Sequence, residues 1–335
     1  MLAGSRTWAR AAATGGESRG RIVAHPSQRS RMTAEPGPID PEALAARAHA
    51  DFAQGDLAAA ARGFDALAAL APSDADCARM QGEVRKYLRD WPESLERSLH
   101  ALSLDATATS DDAVTHPDAH WNAGIAATAV GDWAEARRQW TACGIALPPG
   151  DGPIADRFGV AALRLEPWGR AATVFARRID PVRAQLIGVP PPECGYRYGD
   201  ILLHDCVPLG ERRFLQSRVP IYAALQRLIV SEYPGFAATV VCRTQSDLDA
   251  LLAMRVPGIA YAEDWAAADA RDDAAQQRMR HRIGIAAQSR RSVLRLIERW
   301  REDGDGRYCE GIEGGEHALV DPPERGVAWW RAIAP

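Results

Sequence analysis

The chain has 335 residues, of which 47% are hydrophobic, 25% charged and 7% aromatic, with a net charge of −4; this excludes collagen-like, disulfide-scaffold and wholly disordered classes. No apolar run approaches the roughly 20 residues that a membrane-spanning helix needs. Six cysteines without a C-x-x-C pair give neither a disulfide framework nor a zinc ribbon, and read as reduced thiols of a cytoplasmic protein.

Residues 1–37 hold 6 basic and 2 acidic residues, are rich in Arg, Ser, Gly and Ala, and show no apolar periodicity, so a disordered tail is expected. Two origins stay open for it: a transit peptide, or an extension upstream of a start at Met32. Residues 38–150 carry 9 basic and 17 acidic side chains, and residues 151–335 carry 25 of each. Neither segment expected to fold carries an excess of basic charge, which argues against nucleic acid as the partner. Lys86 is the only lysine in the chain, and the arginine and alanine bias reads as that of a GC-rich bacterial genome.

From Pro41 the apolar residues take helical spacing, punctuated at regular intervals. One unit holds Leu44, Ala48, Phe52, Gly55-Asp56-Leu57, Ala60, Phe64 and Pro72; a second holds Met80, Gly82, Asp90-Trp91, Leu95 and Ser98; a third holds Trp121, Asn122, Gly124, Gly131-Asp132-Trp133, Ala136 and Trp140. In each, a small residue (Ala48, Gly82, Gly124) is placed where two helices approach closely, and Leu57, Trp91 or Trp133 opens the second helix as a wedge. Gly-Asp pairs end one helix and cap the next; Arg89 stands in for the glycine in the second unit. An insertion over residues 107–116 separates the second and third units.

These residues resemble the tetratricopeptide repeat superfamily over residues 41–148. The resemblance implies helical hairpins whose first helices line a concave peptide-binding groove, here Arg79, Met80, Glu83, Trp121, Asn122 and Ile125. The Lys, Arg and Asn set by which some members clamp a peptide carboxylate is missing from these positions, where only Arg79 and Asn122 fit.

After the turn-rich run 148–153, β-like patterns are expected over 159–165, 173–177, 184–189 and 200–204, with Pro208-Leu209-Gly210 turning the last into 211–215 as a hairpin. Residues 221–232 read as helix, 237–243 as a buried strand, 247–254 as a helix capped by Ser246, and 258–262 as a strand. Residues 264–303 read as helical and the remainder as loop, with Trp329-Trp330 docking on the fold. The expectation is thus a multidomain α and α+β chain: a tail over 1–37, a TPR-like helical-repeat array over 38–149, and an α+β domain over 150–335, of no recognised family, whose sheet is covered by helices.

The motifs that could carry chemistry have simpler readings. His204, Asp205 and Cys206 are the weak catalytic candidates, because His204 and Cys206 would share one face of a strand, but a strand entering a hairpin accounts for them. His116 and His120 lack an accompanying carboxylate for a metal. Asp303-Gly304-Asp305-Gly306 would place Arg301 and Ile312 at the outer calcium-ligand positions, so it is read as a turn. The function expected is a protein or peptide interaction module, an adaptor that neutralises or regulates its partner, with no cofactor, metal or membrane role. The alternative is a hydrolase or transferase with its site in the α+β region near His204, Asp205 and Cys206 or near Glu193 to Asp200. Oligomeric state has no signature in the sequence.

Overall fold

The structure is a computed structural model that describes residues 40–107, 117–165, 172–265 and 280–315. The tail over 1–37, most of the 107–116 insertion, His116 and Trp329-Trp330 lie outside the described residues. Six helices come first: α1 (Pro41–Gln54), α2 (Leu57–Leu70), α3 (Ala75–Leu88), α4 (Trp91–Thr107), α5 (Pro117–Val130) and α6 (Trp133–Ala142). Asp40, Asp56, Asp74 and Asp132 cap four of them, each accepting from a backbone N–H of the first turn. Gly55 ends α1 with a left-handed φ of 84°, and Arg89 ends α3 in the same conformation at 61° despite its side chain.

The helices form three hairpins, and close approaches set their spacing. A Cβ on Gly82 would lie 2.5 Å from the Ser98 hydroxyl and 3.2 Å from its backbone nitrogen, so only glycine lets α3 sit this near α4. A Cβ on Gly124 would meet the Trp140 indole at 2.7 Å. The expected wedges play another part: the Trp91 indole N–H donates to the Gln226 side chain, and Trp133 lies 4.9 Å from the Arg183 guanidinium, both in the strands that follow.

Those strands are β1 (Val160–Arg164), β2 (Thr173–Arg178), β3 (Arg183–Leu186), β4 (Ile201–His204), β5 (Gly210–Phe214) and β6 (Ser217–Ile229). Neighbours pair antiparallel from β1 through β4 to β6, and β6 returns to pair parallel with β1, closing a barrel. β4 and β5 pair with successive stretches of β6, so the hairpin forms between β5 and β6 and not between β4 and β5 as the sequence suggested. The expected helix over 221–232 is instead the long strand β6. Leu225 and Leu228 face the helices while Tyr222 and Ala224 join the barrel interior, and burial on both sides erases the two-residue alternation.

The second sheet comprises β7 (Gly235–Val241), β8 (Ile259–Asp264), β9 (Arg280–Ala287) and β10 (Tyr308–Gly314), ordered β10-β7-β9-β8 and antiparallel throughout. With α7 (Gln245–Ala253) and α8 (Arg290–Glu302) it makes a split β-α-β pattern. Both helices pack on one face, against Phe236, Ala238, Val240, Ile283 and Ile285. Two expectations change here: 280–287 is a strand, not helix, and 308–314 is a strand, not loop. Thr244, not Ser246, caps α7, through a reciprocal pair with Asp247. The region past residue 150 therefore contains a barrel and a helix-backed sheet in place of one helix-covered sheet. Asp303 to Gly306 is a turn, as expected.

Candidate functional site

The helical array and the barrel share one buried core. Ile125, Ala126, Ala129 and Trp140 from the helices meet Val182, Leu203, Leu225 and Leu228 from the barrel, with Cys143, Ile145 and Leu147 packed around them. One charged contact crosses this apolar surface. β4 ends at His204, and the next residue, Asp205, projects out of the barrel toward α3. One of its carboxylate oxygens accepts from the Lys86 ammonium at 3.0 Å and from the Tyr87 hydroxyl at 2.5 Å; the other accepts from the Cys206 N–H at 2.8 Å. Lys86 also donates to the Asn122 side-chain oxygen at 3.0 Å, which ties α5 into the same cluster.

The Lys86 and Asp205 side chains are each 2% exposed. Burial alone would push Lys86 down and Asp205 up; the facing charges, with the Tyr87 and Cys206 hydrogen bonds on the carboxylate, reverse both directions. Asp205 is thus held below, and Lys86 above, the ordinary range. Burial raises the Tyr87 hydroxyl and the Cys206 thiol, and pushes the Cys143 thiol up to about 11. These are protonated groups at neutral pH. A thiol so placed is a poor nucleophile.

His204 faces the opposite way. Its ring stacks on Tyr222 inside the barrel, with centroids 5.0 Å apart and planes within 14°. Nδ1 lies 2.6 Å from the backbone oxygen of Asp205, so Nδ1 carries the proton and Nε2 presents a lone pair. Burial pulls the His204 pKa down to about 3, and Nε2 has no hydrogen-bond partner among the described residues. Such an unsatisfied buried acceptor typically costs about 1–3 kcal/mol. The three weak catalytic candidates thus face different environments: His204 the barrel interior, Asp205 the helices, Cys206 the apolar junction. The strand ends before Cys206, so the shared face expected from two-residue alternation does not form.

The residues expected to line a groove divide along the helix axes. Met80, Asn122 and Ile125 are buried, Asn122 by its bond to Lys86, and Trp121 is half-buried with its ring 5.6 Å from that of Trp140. Arg79 and Glu83 are ion-paired at 3.1 Å nearer the start of α3, and Arg79 also holds Asp76. Arg79, Glu83 and Lys86 lie on one stripe at four- and three-residue spacing. The barrel covers the end of that stripe bearing Lys86. The contact missed by sequence reasoning is Lys86 with Asp205. Its one signal was the single lysine in a chain that otherwise uses arginine: a compact ammonium fits between a carboxylate and an amide where a planar guanidinium does not.

His120 lies 2.6 Å from the Gln139 side-chain oxygen, and no group of residues suited to hold a metal occurs among the described residues. None of the six cysteines is joined in a disulfide. No helix of the described residues is long and apolar enough to cross a membrane.

No family model and no curated protein matches the chain. Among solved structures, a mutant Thermobaculum terrenum O-GlcNAc transferase is 19% identical with a TM-score of 0.27, covering 30% of this chain and 18% of its own. The first TPR of Spaghetti (RPAP3) bound to an HSP90 peptide is 15% identical, and the TPR2B domain of yeast Sti1 in complex with pHsp70 is 20% identical. Each of these two covers 30% of this chain and 75% of its own, with a TM-score of 0.27. The chain spans less than a fifth of the transferase's length.

Proposed function

We propose that the chain is a protein or peptide interaction module whose partner binds the part of the α3 and α5 surface that the barrel leaves uncovered. The observation that carries this reading is the division of the α3 stripe: Lys86 and Tyr87 hold the chain's own Asp205, while Asp76, Arg79 and Glu83 remain at the open end. Asp118 at the start of α5 adds an exposed carboxylate close enough to act on Arg79. Three carboxylates around one guanidinium favour a basic segment of a partner. The enzyme alternative at His204, Asp205 and Cys206 loses its motivation because the three side chains are turned to three different surroundings.

Affinity capture with the full chain tests this. Glu83→Lys with Asp118→Lys is expected to weaken capture by about tenfold or more, near 1.4 kcal/mol, with the fold retained but the melting temperature lowered by loss of the Arg79–Glu83 pair. Cys206→Ser is expected to leave capture intact. Normal capture by the charge-reversed protein, together with a turnover that Cys206→Ser abolishes, would replace this reading with the enzymatic one.

A further inference from the structure

Among the described residues β5 pairs with β6 and with no other strand, so it is the open edge of its sheet. Leu215 and Gln216 form the turn between the facing residues Phe214 and Ser217, and the pair that closes a two-residue turn is hydrogen-bonded. Bonded pairs then alternate along the ladder: Phe214 with Ser217, Arg212 with Val219, Gly210 with Ile221. Pro220, which has no N–H to give, stands opposite Glu211, at a pair that exchanges no bonds. The backbone N–H and C=O groups of Glu211 and Arg213 therefore point away from β6, to the open edge.

The two faces of β5 differ. Arg212 and Phe214 rest on β2: the Arg212 guanidinium lies 4.8 Å from the Phe175 ring centre and donates to the Thr173 carbonyl oxygen, and the Phe214 and Phe175 rings are 4.8 Å apart. Glu211 and Arg213 are exposed on the other face. Glu211 has a surface pair with Arg218 at 3.5 Å, while Arg213 stands directly opposite Arg218, a like charge. Leu209 and Leu215, which flank the strand, are 51% and 79% exposed. Leu215 holds a left-handed φ of 54° at a turn position where glycine is the usual choice. At that exposure its side chain gains little from its own chain in return for the strain.

These positions are symmetric about Arg212. An open edge is a template for another strand, and the same strand related by a two-fold axis pairs with it antiparallel. Centred on Glu211 or on Arg213, the register sets that residue against its own copy, carboxylate on carboxylate or guanidinium on guanidinium. Centred on Arg212, it sets Glu211 opposite Arg213 of the second copy, twice, with backbone groups that point at each other. Leu209 then falls opposite Leu215 of the second copy at each end. Arg212 meets its own copy at the axis, but its guanidinium is turned onto β2 of its own chain.

We propose that β5 pairs antiparallel with β5 of a second copy of this chain, in the register that sets Glu211 opposite Arg213. No residue of α3 or α5 takes part, so this surface does not rest on the one assigned to the partner above. An edge of five residues makes a small interface, and the dimer forms reversibly with concentration.

Sedimentation velocity of the full chain over about 1–500 μM tests this. Wild type is expected to pass from monomer to dimer within that range. Glu211→Arg and Arg213→Glu each set like charges against each other, and each is expected to weaken the dimer by about tenfold or more, with circular dichroism unchanged because both side chains are exposed. Mixed in equal amounts, the two variants carry opposite charges at both facing positions, and the mixture is expected to dimerise as wild type does. Glu211→Arg with Arg213→Glu in one chain exchanges the pair in place and is expected to dimerise too. A wild type that stays monomeric throughout would overturn the proposal, as would a dimer that the single reversals leave unchanged. Loss of the dimer in both single variants without recovery in their mixture would overturn it as well.

Discussion

Lys86 and Asp205 are a buried ion pair, and the physics of such pairs makes them sensitive to single changes. Their mutual attraction offsets two desolvation costs, so removing one partner strands a charge in an apolar core. Lys86→Met is therefore expected to lower stability by about 3–5 kcal/mol in urea unfolding, and Lys86→Met with Asp205→Leu by clearly less than the sum of the two single changes. Lys86→Arg keeps the charge but must fit a planar fork between Asp205 and Asn122; a loss of about 1–3 kcal/mol is expected from overpacking. Neutral behaviour of the arginine variant would mean that the ammonium geometry is not what selects lysine here.

The buried titratable groups also predict a pH profile. Asp205 is depressed, so its stabilisation is complete above the ordinary aspartate value near 4 and lost as pH falls through its folded value. His204 falls from 6.5 to about 3, so the unfolded chain binds the extra proton between these values and acidification destabilises by about 1.4 kcal/mol per pH unit. Asp200 is opposite in sign: burial raises it to about 6, despite bonds from the Ser231 and Arg197 N–H groups and the Arg227 guanidinium, so the folded chain keeps a proton that the unfolded chain loses. The His204 and Asp200 contributions oppose each other between about pH 4 and 6. His204→Gln, which cannot titrate, is expected to gain stability relative to wild type as pH falls below 6.5; parallel profiles would show that His204 is not held neutral by the fold.

At the scale of elements, helices were legible and several strands were not. The caps and small contact residues of α1 to α6 are local signals, and Asp56, Asp132, Gly82 and Gly124 perform in the structure the tasks their positions suggest. Gly124→Leu is expected to destabilise by more than 3 kcal/mol because Trp140 already occupies the space, while Gly131→Ala should cost only about 1 kcal/mol at its turn. Arg89, left-handed where Gly55 and Gly131 stand in the other hairpins, predicts that Arg89→Gly stabilises by up to about 1 kcal/mol in the same assay. The strand β6 was hidden because Ile221, Leu225 and Leu228 mimic helical spacing when both strand faces are buried. β9 was masked in a similar way by apolar burial and by Gly284, whose missing side chain makes room for the Trp265 ring.

At the scale of the molecule, the helical array and the barrel complete each other. The surface of α3 and α5 that the repeat resemblance assigned to a peptide is met near its Lys86 end by β4 and β6 of the same chain. This was not legible in the sequence, since Lys86 and Asp205 are 119 residues apart and no local pattern links them. Arg183, which bonds to the Ile154 carbonyl and stacks on Trp133, and Gln226, which accepts from Trp91, close the same interface from other strands. The partner surface on this account is the open end only, where Arg79, Glu83 and Asp118 lie. Hydrogen exchange of the full chain, wild type against Lys86→Met, tests the interlock most directly. The slowest amides of α3, α5, β4 and β6 are expected to share one opening free energy and to lose protection together in the variant. Loss of protection confined to α3 and α5, with β4 and β6 exchanging as in wild type, would contradict it.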